Sequence, residues 1–143
     1  MKTKITLNLE ICKFQEQSMS IQVIYKNFCL LKQNTFETDQ EAISVEIDLP
    51  GDLLIILGNR NVMDADLDAN GKLIKDKHIL LKSINIFDTD LDSYKFPKEI
   101  LSYTNHKGDL VNPSWYWNCN GYVRIYFDQV DPLAWLFKHQ EVW

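Results

Sequence analysis

Hydrophobic and polar residues alternate along several stretches of this chain, and such alternation predicts β-strands. In residues 5–11, 19–25 and 43–49 every second position is apolar, and the intervening positions are mostly polar. Successive side chains of a strand point to opposite faces, so each stretch predicts a strand with one buried face and one wet face. Pro50-Gly51 is expected to end the third strand.

Three further stretches predict strands of a different character. Residues 53–57 are five consecutive apolar residues between two turn signals, which predicts a strand covered on both faces. Residues 78–87 predict another strand, with Leu80, Ile84 and Ile86 on one face. Residues 122–127 follow the sequence Asn118-Cys119-Asn120-Gly121, where Asn-Gly predicts a hairpin turn with positive φ.

The end of the chain carries the one clear helix signal. Asp131 is a suitable N-cap, Pro132 suits the first helical position, and five apolar residues follow. About seven or eight strands joined by short turns, with no alternating helices, predict an all-β fold. We therefore expect a β-sandwich or jelly roll of antiparallel strands with a short C-terminal helix, forming one domain over residues 1–143.

Composition and charge narrow the classes of partner. The net charge is −5 and the basic residues are scattered, which argues against nucleic acid, because such binding depends on Lys and Arg neutralising phosphates. No apolar run approaches the ~18 residues of a membrane span, so we expect no membrane insertion. Asn8 and Glu10 interrupt the apolar start that a signal peptide would need. We expect synthesis in the cytoplasm, with release by lysis as a virion component as an alternative.

The three cysteines are far apart and odd in number, so we predict neither a disulfide framework nor a zinc site. We expect reduced and mostly buried thiols. The three histidines are isolated, and no nucleophile elbow, P-loop or dinucleotide-binding motif is present. The sequence therefore predicts a protein that is not an enzyme.

An acidic stretch, residues 63–77, carries the most unusual polar pattern. Read from Asp66, the spacing DxDxNG matches the first half of a calcium-binding loop, in which oxygen ligands precede a sharp-turn glycine. The final position of such a loop requires a bidentate glutamate, but Lys77 stands there and Asp76 lies one residue earlier. Because that glutamate is missing, the pattern favours an exposed acidic loop without a metal, and the alternative hypothesis is a Ca²⁺ site. The candidate ligands of that site are Asp64, Asp66, Asp68, Asn70 and Asp76.

A second acidic ladder, Asp88, Asp90 and Asp92, follows the strand predicted at 78–87. The two ladders would lie at opposite ends of one sheet if strand 78–87 paired directly with strand 53–57. They would share an end if residues 72–74 formed a strand between them. The sequence leaves both arrangements open.

An aromatic cluster lies between residues 115 and 122. Aromatic faces beside amide side chains suit a sugar, which needs a flat apolar surface and hydrogen-bond partners for its hydroxyl groups. In a strand Trp115 and Trp117 would share one face, so at least one set of rings is expected to pack into the core. The glycan-binding candidates are Trp115, Tyr116, Trp117, Asn118, Asn120 and Tyr122.

Several segments from residue 43 onward resemble those of small phage- and virus-encoded β-sandwich proteins that are similar to carbohydrate-binding modules. The resemblance rests on the NGxxxxDK segment that begins at Asn70, on the aromatic segment ending in Asn120-Gly121, and on the terminal DPLxWL helix that begins at Asp131. Residues 1–42 lie outside it. It implies either a virion- or tail-associated structural role or recognition of a surface glycan, with Ca²⁺ at an acidic loop in the calcium-dependent members, and no catalytic residue.

Three hypotheses follow. The preferred one is a non-catalytic structural or attachment module of a larger assembly, whose partners are other proteins or copies of itself as a homo-oligomer. The second is a calcium-assisted carbohydrate-binding module that recognises surface glycans. The third is an enzyme whose site is assembled only in the fold.

Overall fold

The fold, taken from a computed structural model, is an all-β sandwich of two five-stranded antiparallel sheets. The structure describes residues 2–61, 65–67, 69–71 and 73–139, with side chains except at 65, 66, 73–75 and 139. Elements are numbered in chain order. The first sheet contains β1 (Lys2–Cys12), β4 (Gln40–Asp48), β8 (His78–Ile86), β9 (Thr89–Asp92) and β11 (Tyr116–Trp117). The second contains β2 (Ser20–Tyr25), β3 (Phe28–Gln33), β5 (Gly51–Gly58), β10 (Leu101–Asn105) and β12 (Gly121–Phe127).

Smaller elements complete the described part of the chain. The hairpin of β6 (Ala65–Leu67) and β7 (Leu73–Asp76) pairs only within itself, and Ser93–Lys95 forms one 3₁₀ turn. Helix α1 (Pro132–His139) follows β12, and the main-chain N–H of Leu133 donates to Asp131 Oδ1 at 3.0 Å, which confirms the predicted cap. No helix among the described residues is long and apolar enough to cross a membrane.

The core lies between the two sheets and confirms the alternation seen in the sequence. The alternating apolar positions of β1 are buried and the polar positions between them are more exposed, and β2 and β4 follow the same pattern. Trp135 of α1 is fully buried and packs against Phe96 and Phe127. Each fully buried large apolar side chain contributes about 1.5–3 kcal/mol to folding, which explains why the alternating pattern determines the fold.

Strand β5 differs in part from its prediction. Leu53, Ile55 and Leu57 are buried in the core, but Leu54 and Ile56 are only half-buried on the outer face of the second sheet. The strand is central in its sheet, between β12 and β2, so its edges are covered while its outer face is not.

Strand β8 contains a β-bulge that changes which of its residues face the core. Opposite β1, Asn8 pairs with Ser83 and Leu9 pairs with Leu81, so Lys82 is an extra residue on β8. The extra residue shifts the alternation, because it moves every later side chain to the other parity. Leu80 therefore points outward, whereas the sequence placed it on one face with Ile84 and Ile86, which are buried. Strand β8 pairs with β1, β9 and β11 and not with β5, which lies in the other sheet.

The predicted hairpin at Asn120-Gly121 is a crossing between the sheets. Strand β11 pairs with β8 in the first sheet, whereas β12 pairs with β5 and β10 in the second, and neither Asn120 nor Gly121 has a positive φ. Glycine is required at 121 for another reason. A Cβ atom there would lie 2.1 Å from the carbonyl oxygen of Thr104, so only glycine lets β10 and β12 approach so closely.

Candidate functional site

A groove of about 390 Å³ opens on the outer face of the first sheet, where two short strands share one edge of β8. Strand β11 pairs with Ile79 and Leu80, and β9 pairs with residues 83–86. Between β9 and β11, the edge of β8 around the bulge at Lys82 is paired with neither strand. The groove occupies this gap and is within the ~300–1,000 Å³ range of small-molecule sites.

Leu81 holds the two walls of this groove together through its backbone. Its N–H donates to the carbonyl oxygen of Trp115 at 2.9 Å, and its carbonyl oxygen accepts a hydrogen bond from the hydroxyl group of Ser93. Ser93 is buried and directly precedes Tyr94. The main chain at both aromatic residues is therefore fixed to one residue of β8.

Two aromatic rings line the groove and differ in exposure. Trp115 is half-buried and packs against the hydrophobic core. Tyr94 is 65% exposed, and its hydroxyl group donates to Asp92 Oδ2 at 3.3 Å. A half-buried indole and an oriented, exposed phenol ring provide flat apolar surface that a ligand can contact.

The polar lining of the groove is mainly acidic. Glu10, Asp90 and Asp92 line it together with one basic residue, Lys82, whose Nζ lies 4.0 Å from Glu10 Oε2. Asp90 and Asp92 are both exposed on β9, with the buried Leu91 between them. Their spacing by two places both carboxylates on the same face, with Cα atoms about 6.5–7 Å apart.

Asp90 is oriented by two amide groups of neighbouring strands. Asn85 Nδ2 donates to Asp90 Oδ1 at 3.0 Å, and Asn8 Nδ2 donates to the same oxygen at 3.2 Å. Asn8 also donates to Ser83 Oγ at 2.9 Å. Both amide groups donate to Oδ1. Among the described residues none donates to Oδ2, so this oxygen of Asp90 is available to a ligand.

A buried polar network lies at the other end of β8, beyond β11. Asp76 is 6% exposed; its Oδ1 forms an ion pair with Arg60, and its Oδ2 accepts a hydrogen bond from the Tyr116 hydroxyl group at 3.3 Å. His78 stacks on Tyr116 with ring centroids 4.5 Å apart. Burial, together with the negative charge of Asp76, raises the pKa of Tyr116 to about 12. The network connects β7, β8 and β11 with the segment after β5.

Asn118 and Asn120 lie in a small cavity of about 150 Å³, shared with Arg60 and His106. Asn120 exchanges two hydrogen bonds with the backbone of Arg60: its Oδ1 accepts from the N–H at 3.0 Å and its Nδ2 donates to the carbonyl oxygen at 2.9 Å. Such a reciprocal amide pair fixes the chain after β5 to the crossing segment between the sheets.

The six predicted glycan-binding residues are therefore distributed over several places. Trp115 lines the groove, and Tyr116 lies on the same sheet with its hydroxyl group bound to Asp76. Trp117 is fully buried, and its indole N–H donates to the carbonyl oxygen of Ser114. Tyr122 is 42% exposed on β12, in the other sheet. The structure brings only Trp115 and Tyr116 to the face that carries the groove.

The predicted metal ligands lie mostly beyond what the structure describes. Asp64 and Asp68 are outside the described residues, and so is the side chain of Asp66. Asn70 lies exposed at a turn, while Asp76 is engaged by Arg60 and Tyr116. Among the side chains that are described, no three His, Cys, Asp or Glu residues form a group suited to a metal ion. The described residues therefore do not fit a Ca²⁺ site, and the site at residues 64–70 stays a prediction.

A second groove, of about 420 Å³, lies near the start of β1 and the loop before α1. Its one aromatic residue is Phe87, and its charged lining consists of Lys2, Lys4, Asp88 and Asp131. The second acidic ladder is thus divided, because Asp88 faces this groove while Asp90 and Asp92 face the other. A groove with two aromatic rings and excess carboxylates offers more recognition chemistry than one with balanced charges.

Sequence reasoning missed Tyr94 as a functional residue. The available signal was its position two residues after the acidic ladder that ends at Asp92, but the pairing of β9 with β8 was not foreseen. In the sequence, Glu10 stands out only as a polar residue that interrupts the apolar start of the chain. Its proximity to Asp90 arises from the pairing of β1 with β8, which a single sequence does not reveal.

Comparisons with known proteins concern the fold. No protein-family model and no curated protein matches this sequence. Among solved structures the chain is similar to vCBM60 in complex with galactobiose, with 16% sequence identity and a TM-score of 0.54 over 86% of this chain and 97% of that chain. It is also similar to the SeMet form of vCBM60, described in connection with a circular permutation that links two families of calcium-dependent carbohydrate-binding modules. There the identity is 12% and the TM-score 0.54, over 87% of this chain and 90% of that chain. The chain thus has the fold of a carbohydrate-binding module.

Proposed function

We propose that this chain is a non-catalytic carbohydrate-binding module whose ligand site is the groove between β9 and β11. The observation that carries the proposal is the joint placement of Trp115 and Tyr94 beside Asp90 and Asp92 in one groove. The similarity of fold to vCBM60 supports the same class of function. Because a fold alone does not determine function, the groove carries more weight than the similarity.

The chemistry of the groove suits a saccharide. A pyranose ring has an apolar face of C–H groups that can stack on an aromatic ring, and hydroxyl groups at its rim that donate to carboxylates. Trp115 and Tyr94, on the two walls of the groove, would supply the stacking surface. Asp90 Oδ2 and the carboxylate of Asp92 would accept hydrogen bonds from hydroxyl groups, and such charge-assisted bonds are stronger than neutral ones.

The role preferred from the sequence, a structural or attachment module of a larger assembly, stays a prediction. The groove and the fold both favour the carbohydrate-binding hypothesis over it. A role in attachment is compatible with glycan binding, because a module that binds surface glycans can serve to attach a larger assembly.

A glycan array followed by titration calorimetry tests the proposal. We expect at least one class of oligosaccharide to bind to the wild-type protein. Tyr94→Ala should weaken binding by about tenfold or more, since loss of an aromatic contact costs on the order of 1.4 kcal/mol. Tyr94 is exposed, so the change should leave folding intact, which circular dichroism and thermal melting would verify.

Tyr122→Ala is the matched control, because it removes an exposed tyrosine from the other sheet. Its affinity should equal that of the wild type. If Tyr122→Ala abolished binding and Tyr94→Ala did not, the site would lie on the second sheet and the assignment of the groove would be wrong. If the folded protein bound no glycan on a broad array, the proposed function itself would be rejected.

A further inference from the structure

We infer that the groove selects saccharides that carry free amino groups, such as oligomers of 2-amino-2-deoxy sugars, and disfavours those that carry uronic acids. The inference rests on the proposed function and specifies the substrate class of the same site. It is argued from the charges that line the groove and from the way in which two of the carboxylates are held.

The groove has an excess of negative charge at its lining. Glu10, Asp90 and Asp92 contribute three carboxylates, and Lys82 contributes the one ammonium group. Lys82 Nζ lies 4.0 Å from Glu10 Oε2 and compensates part of the charge of Glu10, whereas Asp90 and Asp92 form no ion pair with any residue that the structure describes.

The two aspartates on β9 are held in place without the help of a cation. Two neutral amide groups, from Asn8 and Asn85, orient Asp90, and the neutral hydroxyl group of Tyr94 orients Asp92. Neutral donors fix the position of a carboxylate but leave its charge uncompensated. The site is therefore preorganised for a positively charged group, and the cost of ordering the two side chains on binding is reduced.

The position of Tyr94 favours a ligand that has a sugar ring as well as a positive charge. The hydroxyl group of Tyr94 donates a hydrogen bond to Asp92, so a ligand that contacts the tyrosine ring also lies beside that carboxylate. A sugar whose ring stacks in the groove would bring an amino substituent within reach of Asp90 and Asp92 together. A uronic acid would instead place its carboxylate beside two like charges, which disfavours binding.

Three saccharide probes of matched length test the inference by titration calorimetry at about pH 6, where amino sugars are largely protonated and Asp and Glu are ionised. The probes are a β-1,4-linked glucosamine hexamer, the corresponding N-acetylglucosamine hexamer and a galacturonate hexamer. We expect the glucosamine hexamer to bind about two- to fivefold more tightly than its N-acetylated form, as for partly exposed ion pairs. The galacturonate hexamer should bind most weakly. The preference should narrow as salt is raised, because salt screens charges at the surface.

The variants Asp90→Asn and Asp92→Asn should each weaken binding of both hexamers, because each loses a charge-assisted acceptor for hydroxyl groups. Binding of the glucosamine hexamer should weaken more, since it also loses an opposite charge, so the ratio of the two affinities should fall towards one. Glu46→Gln is the matched control. It removes one negative charge from an exposed position of β4 in the same sheet, outside the groove, and should leave the preference unchanged.

The outcomes separate this inference from the proposed function. Equal affinity for the glucosamine and N-acetylglucosamine hexamers, with both weakened by Tyr94→Ala, would reject the charge preference and retain the carbohydrate site. Tighter binding of the galacturonate hexamer, or a loss of preference in Glu46→Gln equal to that in Asp90→Asn, would also reject it.

Tetralysine is the non-saccharide probe. If it bound as tightly as the glucosamine hexamer, charge would act without a sugar and the inference would be overturned. Absence of binding to every saccharide tested would reject both proposals.

Discussion

The main-chain N–H of Leu81 donates a hydrogen bond to the carbonyl oxygen of Trp115 at 2.9 Å, just where the alternation of β8 is broken by a bulge. The bond extends the pairing of β11 by one residue beyond Leu80. The carbonyl oxygen of Leu81 accepts a hydrogen bond from Ser93, on the 3₁₀ turn after β9. One residue of a central strand thus determines the distance between the two aromatic walls of the groove.

Ser93→Ala is expected to destabilise the protein and to weaken glycan binding together. The variant removes the donor to a buried carbonyl group, and an unsatisfied buried acceptor costs about 1–3 kcal/mol. It also releases the turn that carries Tyr94, so affinity should fall severalfold. Denaturant unfolding and calorimetry measure the two effects. Ser44→Ala is the control, because it removes an exposed hydroxyl group whose one partner among the described residues is Thr6 in the same sheet. A Ser93→Ala protein with wild-type affinity would contradict the assigned role of the turn.

The ion pair of Arg60 and Asp76 is expected to be far more sensitive to substitution than a surface pair. Asp76→Asn leaves a guanidinium group in a buried site without its counter-charge, so the free energy of unfolding should fall by about 3–5 kcal/mol. The exposed pair of Arg124 and Asp52, at 3.0 Å, provides the comparison, and Asp52→Asn should cost about 0–1 kcal/mol. Urea unfolding of both variants tests the difference. Equal losses would mean that the buried network has no special role.

Tyr116 is expected to make the stability decline at high pH. Burial and the charge of Asp76 raise its pKa from 10.0 to about 12 in the folded protein, so the folded state retains a proton that the unfolded state releases. This contribution is fully present below about pH 10 and is lost as the pH rises towards 12. Tyr116→Phe should therefore show a shallower loss of stability across this interval than the wild type. Urea unfolding at several pH values tests this, and parallel profiles for the two proteins would exclude it.

The strands could be predicted from the sequence where burial follows strict alternation. Residues of β1, β2 and β4 are apolar at every second position, and these strands form as predicted because one face of each meets the core. The pairing of these strands and the division into two sheets could not be predicted in this way. Alternation specifies which side of a strand is buried but contains no information about its neighbours.

Several turns were missed because residues other than glycine adopt left-handed conformations. Lys26 and Asn27, which join β2 to β3, have φ values of 48° and 65°, and Phe87 and Asp88, which join β8 to β9, have values of 52° and 56°. Two-residue hairpins with positive φ usually contain Asn-Gly or Asp-Gly, and Phe87-Asp88 is not such a signal. Strand β9 was therefore not predicted as a strand, and its residues were interpreted only as an acidic ladder. Without the pairing of β9 with β8, the location of Tyr94 beside the groove could not be predicted.

Gly121→Ala is expected to be among the most destabilising single methyl additions in the chain. The added Cβ atom would lie 2.1 Å from the carbonyl oxygen of Thr104, on the paired backbone of β10, which cannot move without breaking strand pairing. Overpacking of this kind costs about 1–3 kcal/mol or more. Gly51→Ala is the control in the same sheet, because its nearest contacts, at 3.5 Å and 3.6 Å, are ordinary. Thermal unfolding should separate the two variants, and similar melting temperatures would contradict the close approach.

Calcium binding at the acidic loop is expected to be weak, with a dissociation constant of about 10⁻³ M or higher. The loop lacks the bidentate glutamate, and Asp76, the nearest substitute, is already bound by Arg60. A cation could recruit Asp76 only by displacing a guanidinium group from a buried site, which costs more than an exposed carboxylate would. Calorimetric titration of calcium into chelator-treated protein measures the affinity, with Asp66→Asn to test the loop and Asp90→Asn as the control in the groove. Micromolar affinity that disappears in Asp66→Asn would contradict this expectation and would mean that residues 64–70 form a complete site without Asp76. Loss of binding in Asp90→Asn alone would instead locate the cation in the groove.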